Sequence, residues 1–331
     1  MSFRMQVLTD SQKISELKAG RFSNPIQFPK HFRDERFPFD LKSSYTITDP
    51  FQIRGTSTLE NKPSEITVKP ATGRYSRFSH SGKNYELDPS LCIKGNHNIQ
   101  LGDVKIIEHP LAVMSAFGFY LDFELEQSSF PTFDFCDQPY LDGIQNNFHK
   151  IGEVSPITVA KPFAAVWEKG YCILEPDEHG TSLFLDHQVS YPGQTVGNQR
   201  IQTELTPEIF SYIASARTTA FRPGIEAEKF YQIGLAGGLK DYPFTLENVI
   251  LLNEDKIYNP REKFEHEGKN YEFIAHELID ILAWIRFVEE EYKGRFFGKM
   301  TTFLFDHHKQ IDIAQFVCDR KRFSEIGIRV L

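Results

Sequence analysis

The chain has 331 residues, and its 37 Lys and Arg against 45 Asp and Glu leave a net charge of −8. That acidic excess speaks against a duplex nucleic-acid partner, whose phosphates call for a basic surface. With 40% hydrophobic and 25% charged residues, the composition is that of a globular protein long enough for two domains, neither disordered nor membrane-embedded.

In chain order, residues 1–44 read as an extension: a short helix around Ser11 to Lys18, then extended chain rich in Phe, Pro and Arg. Residues 45–154 carry short strand-like runs such as SEITVKP and NIQLGDVKII, broken by Gly, Asn and Pro turns. One helix interrupts them, PLAVMSAFGF, with Pro110 placed in its first turn. A second block, 155–331, opens on the strands AAVWEKGYCIL and TSLFLDHQV, after which Thr206 caps TPEIFSYIASAR. Its longest predicted helix is NYEFIAHELIDILAWIRFVEEEY, apolar at helical spacing. Strands and helices without strict alternation predict an α+β fold, and no internal repeat is visible in the letters.

The cysteines Cys92, Cys136, Cys172 and Cys318 are far apart and form no CxxC pair, so reduced thiols in a cytoplasmic protein are expected. No stretch of eighteen apolar residues and no signal-like N-terminus is present. Membrane contact is therefore expected to be peripheral at most, and the chain monomeric. The 30 Phe either pack aromatic layers or line greasy passages, and composition does not choose between them.

Three clusters can carry chemistry. His276 and Asp280 lie one helical turn apart on one face, a pair able to give a metal one imidazole and one carboxylate. The plain alternative is a surface ion pair. Glu108-His109 sits where a strand run meets a helix start, and His307-His308 follows the strand-like TTFLF. Each alone reads equally as solvated chain. Together, two His and one carboxylate leave a coordination position open on zinc, as in a hydrolytic site. Glu108 is then placed to take a proton from water, and His307 to protonate a leaving amine.

The arrangement resembles the zinc-dependent UDP-3-O-acyl-N-acetylglucosamine deacetylases of lipid A biosynthesis, over about Tyr45 to Ala314. The family's EHL…AL.GLGI segment resembles Glu108-His109-Pro110-Leu111 through Phe117-Gly118-Phe119, and its PI.DGSA..F turn resembles Pro139 to Gly143 and Phe148. ARTFGF…IE is similar to Ala216 to Phe221 with Ile225-Glu226, and G…GGS with SLDNA.VL to Gly234, Gly237-Gly238 and Thr245 to Val249. EF..HK.LD resembles Glu272 to Asp280, and G..T…SGH resembles Gly298, Thr301 and Asp306-His307.

The resemblance implies two similar α+β halves, each a small sheet with helices, the helices sandwiched between the two sheets and the site at their junction. It implies His109, His276 and Asp280 as ligands of Zn2+ (or Fe2+), Glu108 as general base, His307 as general acid and Thr218 as the hydroxyl near the oxyanion. It implies an acylated UDP-amino-sugar substrate whose acyl chain enters a passage built from about residues 219–251, where Thr219, Phe221, Ile225, Phe230, Leu235, Gly238 and Phe244 fall. Ordinary core is the equal alternative for those side chains.

The chain departs from the family in three places. Leu59 stands where a His is usual; Glu277 replaces a phosphate-contacting Lys, leaving Arg217, Arg222 or Lys240 to compensate; and Trp284 replaces the Asp that partners the acid. A cation–π contact from Trp284 to His307 is expected in its place. Three functions follow: deacetylation of the UDP-linked sugar, hydrolysis of a non-nucleotide N-acyl sugar, or a metal-binding paralogue without turnover.

Overall fold

The structure is a computed structural model that describes residues 5–20, 22, 25–27, 39–95, 97–131, 136–180, 182–219, 227–239 and 244–331. The chain opens with strand β1 (Gln6–Leu8), helix α1 (Ser11–Ala19) and β2 (Ile26–Gln27). The first half then lays down β3 (Phe51–Thr56), β4 (Pro63–Pro70), β5 (Arg77–His80) and β6 (Lys83–Glu86). A hairpin of β7 (Cys92–Lys94) and β8 (Ile99–Leu101) leads into α2 (Glu108–Phe117), β9 (Leu121–Leu125) and α3 (Gln138–Ile144). The second half holds β10 (Phe163–Val166), β11 (Tyr171–Glu175), β12 (Leu183–Tyr191) and β13 (Gly197–Glu204). It continues through α4 (Pro207–Ile213), α5 (Ala227–Leu235), α6 (Glu272–Asp280), α7 (Ala283–Tyr292), β14 (Gly298–Phe303) and α8 (His307–Cys318).

The two halves repeat one topology. The first sheet is ordered β3-β4-β9-β5-β6, and the core of the second is β10-β11-β14-β12-β13. In each, two antiparallel hairpins are separated by a late strand, antiparallel to one neighbour and parallel to the other. In each, that strand is reached through central helices, α2 in the first half and α6–α7 in the second. The duplication is one of connectivity, and no repeat in the letters announces it.

Alternation along the strands decides what each face meets. In the first sheet Ile66, Val68, Phe78 and Phe123 point inward, while Arg77 and Asp122, and Lys69 and Glu124, pair on the outside. From the second sheet Cys172, Leu174, Leu183, Leu185 and Met300 point inward, and with α2, α6, α7 and α8 they close one continuous core. Every residue of α2 is buried, and past its first two residues the helix is apolar apart from Ser115. It ends at Gly118 (φ +73°), where a Cβ would stand 2.8 Å from the Ser43 carbonyl. Much of the Phe excess goes into aromatic layers, including Phe78 stacked on Phe123 at 4.9 Å and Phe163 edge-on to Phe323 at 5.5 Å.

The first residues are part of the second half's sheet. β1 pairs with β10 at one edge and β2 with β13 at the other. Between them, α1 lays Ile14 and Leu17 on Ala164, Tyr171, Ile173 and Phe303 of the outer face. Deleting residues 1–27 should uncover both edges and this apolar patch. A lower melting temperature and concentration-dependent association in light scattering are expected, since unpaired edges template pairing between chains.

Candidate metal centre

Glu108 and His109 open α2, which packs against α6 and α7. The helix begins two residues earlier than the sequence suggested, so Pro110 is its third residue. The Glu108 carboxylate accepts the Ile99 N–H at 3.0 Å. Burial raises its carboxyl above the usual range, with the charges of His307 and His109 pulling it back. His109 hydrogen-bonds through Nδ1 to Asp137 Oδ1 at 3.0 Å, which leaves Nε2 free. Asp137 is wholly buried at the start of α3, and burial lifts its carboxyl to about 6 against that hydrogen bond.

His276 and Asp280 face the same point from α6. His276 Nδ1 donates to the Ala216 carbonyl at 2.9 Å, so its Nε2 also points free, 3.3 Å from Asp280 Oδ2. The His109 and His276 rings lie 5.2 Å apart, and ligand atoms of His109, His276 and Asp280 converge within 4.8 Å. Among the described residues Asp280 Oδ1 is buried without a hydrogen-bond partner, an expensive orphan unless a cation meets it. Two oriented imidazoles and a bare carboxylate oxygen fit a divalent ion such as zinc, whose usual four-coordination these three donors do not fill. Replacing Asp137 by Ala removes the group that orients His109, and should weaken metal affinity about 10–100-fold by competition with a chromophoric chelator.

Charge in this pocket is tightly coupled. Burial opposes protonation of His276, but neighbouring Asp280 and the Ala216 carbonyl outweigh it and carry the imidazole to about 9. Asp280, despite burial, is held well below the usual carboxylate range by His276 and His307. A proton on His276 competes with the metal, so below about 9 binding must expel it. Metal affinity should therefore rise with pH through neutrality and flatten above that value. Calorimetry in buffers of different ionisation enthalpy should show net proton release on metal binding near neutral pH.

His307 is the first residue of α8, which Asp306 caps by accepting the Lys309 N–H. Its Nε2 lies 3.6 Å from Asp280 Oδ2, and it is near enough to Glu108 to act on that carboxyl. Thr218 follows two residues after Ala216 and is half-buried, its carbonyl bonded to Ile250 N–H at 2.8 Å. The structure thus brings together the three ligand candidates, Glu108 and His307, from chain segments nearly two hundred residues apart.

The sequence profile of the UDP-3-O-acyl N-acetylglycosamine deacetylase (LpxC) family matches residues 44–315. The chain belongs to this family. It is accordingly an enzyme of the amide-hydrolysing deacetylase class. It is 24% identical to the UDP-3-O-acyl-N-acetylglucosamine deacetylase of Nautilia profundicola over 282 residues, covering 80% of this chain and 87% of that protein. With the enzyme of the same name from Aquifex aeolicus it shares 24% over 265 residues, 76% of this chain and 86% of that one. The corresponding Lawsonia intracellularis protein is 32% identical, but over 114 residues, 34% and 33% of the two chains.

Within this deacetylase-family chain the departures have physical consequences. Glu277 is half-buried, and burial followed by the charge of Asp280 pushes its carboxyl up to about 7. Arg217 is no substitute for the missing Lys: it is buried, bound to Glu272 at 2.7 Å and to the carbonyls of Leu246 and Asn259. Arg222 and Lys240, the other expected compensators, lie outside the described residues. Trp284 is fully buried, and its ring meets Phe296 at 6.3 Å; among the described residues no ring contact joins it to His307. The expected cation–π substitute is therefore absent there.

Of the residues assigned to the acyl passage, Phe221 and Ile225 lie outside the described residues. Phe230 and Phe244 pack with Val249 and Leu251 in a small satellite cluster, and Leu235 is 60% exposed at the end of α5. Gly238 donates its N–H to the Ile233 carbonyl, while the Thr219 hydroxyl donates to the Ile250 carbonyl. Sequence reasoning missed Asp137 and His187. His187 is wholly buried on β12, bonded to Thr302 Oγ1 at 2.7 Å and pushed down to about 4 by burial. Its signal was an imidazole on the apolar side of an alternating strand.

Proposed function

We propose that this chain removes the N-acetyl group from an acylated UDP-N-acetylglucosamine-type substrate, with Zn2+ at His109, His276 and Asp280. The convergence of those three side chains, with Glu108 and His307 beside them, carries the reading. The ion, when bound, supplies Lewis acidity to the amide carbonyl and makes water a better nucleophile. Glu108 takes the proton from the attacking water, its Oε2 steadied by Ile99 N–H. Thr218 turns its hydroxyl to the developing oxyanion, and His307 gives a proton to the departing amine. Iron is the alternative metal for this donor set.

The domain bounds 45–154 and 155–331, an acyl passage near residues 219–251, a monomeric state and a cytoplasmic setting belong to the same reading. Among the described residues no helix is long and apolar enough to cross a membrane. The test is mass spectrometry of the metal-loaded protein with UDP-3-O-acyl-N-acetylglucosamine, which should show loss of one acetyl group; full metal occupancy without that loss overturns the assignment.

Glu277 favours a second reading, in which the sugar carries no nucleotide. A carboxyl that titrates near 7 gives a diphosphate none of the attraction a Lys would, and repels it once ionised, while Arg217 is already committed to Glu272. Faster acetyl release from a non-nucleotide 3-O-acyl-N-acetylglucosamine than from its UDP-linked form would select this reading.

A further inference from the structure

The hairpin β7–β8 grips both sides of the site. On one strand Ile99 donates its N–H to Glu108, and its carbonyl accepts from Ile106 and Ile107 at 3.0 and 3.3 Å. Ile106 is thereby held at φ +66°, a region costly for a β-branched residue, immediately before the Ile107-Glu108 step into α2. On the other strand Lys94, paired in register with Ile99, reaches Asp312 at 2.5 Å. The next carbonyl, Gly95, accepts from His308 Nε2 at 2.6 Å, and Gln315 donates to Pro89 just before the hairpin. His308, Asp312 and Gln315 all belong to α8, whose first residue is His307.

His307 itself has little to orient it. Its Nδ1 is buried with no hydrogen-bond partner among the described residues, and its Nε2 lies 3.6 Å from Asp280. A side chain at a helix terminus so weakly held takes its position from the backbone beneath it. We propose that His308 is a positioning residue: by donating Nε2–H to the Gly95 carbonyl, it docks the first turn of α8 onto the hairpin that holds Glu108. One small hairpin then sets the separation of acid and base across the seam between the halves. The fold of α8 does not depend on this bond, because Asp306 caps the helix and Tyr292 binds the Val317 carbonyl at its far end.

The proposal rests on the roles given above to Glu108 and His307, and its test separates the two. In the full-length protein labelled with 13C,15N-histidine, the His307 ring signals are assigned from a His307→Asn variant. In His308→Ala they should shift and broaden; in His308→Gln, whose amide N–H reaches the place of Nε2–H, they should return to their original positions. Where acetyl release is measurable, His308→Ala should lower kcat about 10-fold with KM within about twofold, and His308→Gln should recover most of it. Unchanged His307 signals in His308→Ala, or equal perturbation by both variants, overturns the proposal. The ring signals need no substrate, so absence of acetyl release from the wild type defeats the functional assignment and leaves this comparison intact.

Discussion

Glu108→Gln is expected to lower kcat for acetyl release by about 10²–10⁴-fold, the usual worth of a positioned general base. The substitution is close to isosteric, and the amide oxygen still accepts the Ile99 N–H, so the side chain should stay where the carboxylate was. What it loses is the ability to take a proton. Glu108 is not among the converging ligand atoms, which come from His109, His276 and Asp280, so metal content should remain at wild-type level. KM should move little, because the lost interaction belongs to the transition state. Stopped-flow or discontinuous acetate assays on protein of verified metal content provide the measurement. Turnover at the wild-type rate would remove Glu108 from the role of base.

His276→Ala should have the second large effect, and a double one. It removes one of three protein ligands, so the fall in metal affinity should exceed the about 10–100-fold expected for the outer carboxylate Asp137. It also strips Asp280 of its nearest partner in a buried setting, leaving the His307 imidazole 3.6 Å from Oδ2. Breaking a buried pair by deleting one member costs about 3–5 kcal/mol, so the metal-free variant should melt well below the metal-free wild type. Elemental analysis after dialysis and a thermal melt test both halves. Full metal retention would mean that another side chain completes the set.

What was legible in the sequence followed the range over which the signal acts. His276 and Asp280 could be paired because four residues is one helical turn, and that spacing survives even though the long predicted helix breaks at Ile281–Leu282. There Leu282 N–H turns to the Ile279 carbonyl, an i→i+3 tightening that no residue in the run LIDILAW announces. The residues that orient the imidazoles were not legible. Asp137 lies 28 positions from His109, and Ala216 acts on His276 across 60 through a carbonyl that any amino acid would offer. Resemblance to a family supplied the site's membership; packing supplied its support. The N-terminal residues were read as an appendage because their short strands show periodicity too brief to notice, and their partners Ala164 to Val166 and Ile201 are more than 130 positions away.

The inserted strand of the second sheet has a consequence for how the protein reaches its working form. β14 lies between β11 and β12, yet it comes from residues 298–303, after every other strand of that sheet. A chain emerging from the ribosome can form the β10–β11 and β12–β13 hairpins, but the sheet keeps a gap in its middle until almost the whole sequence is available. Such long-range closure makes for slow folding, with pairing edges exposed in the interim. His307 follows β14 by four residues. The acid group therefore arrives with the strand that fills the gap, and completion of the sheet and completion of the catalytic apparatus are one event in time.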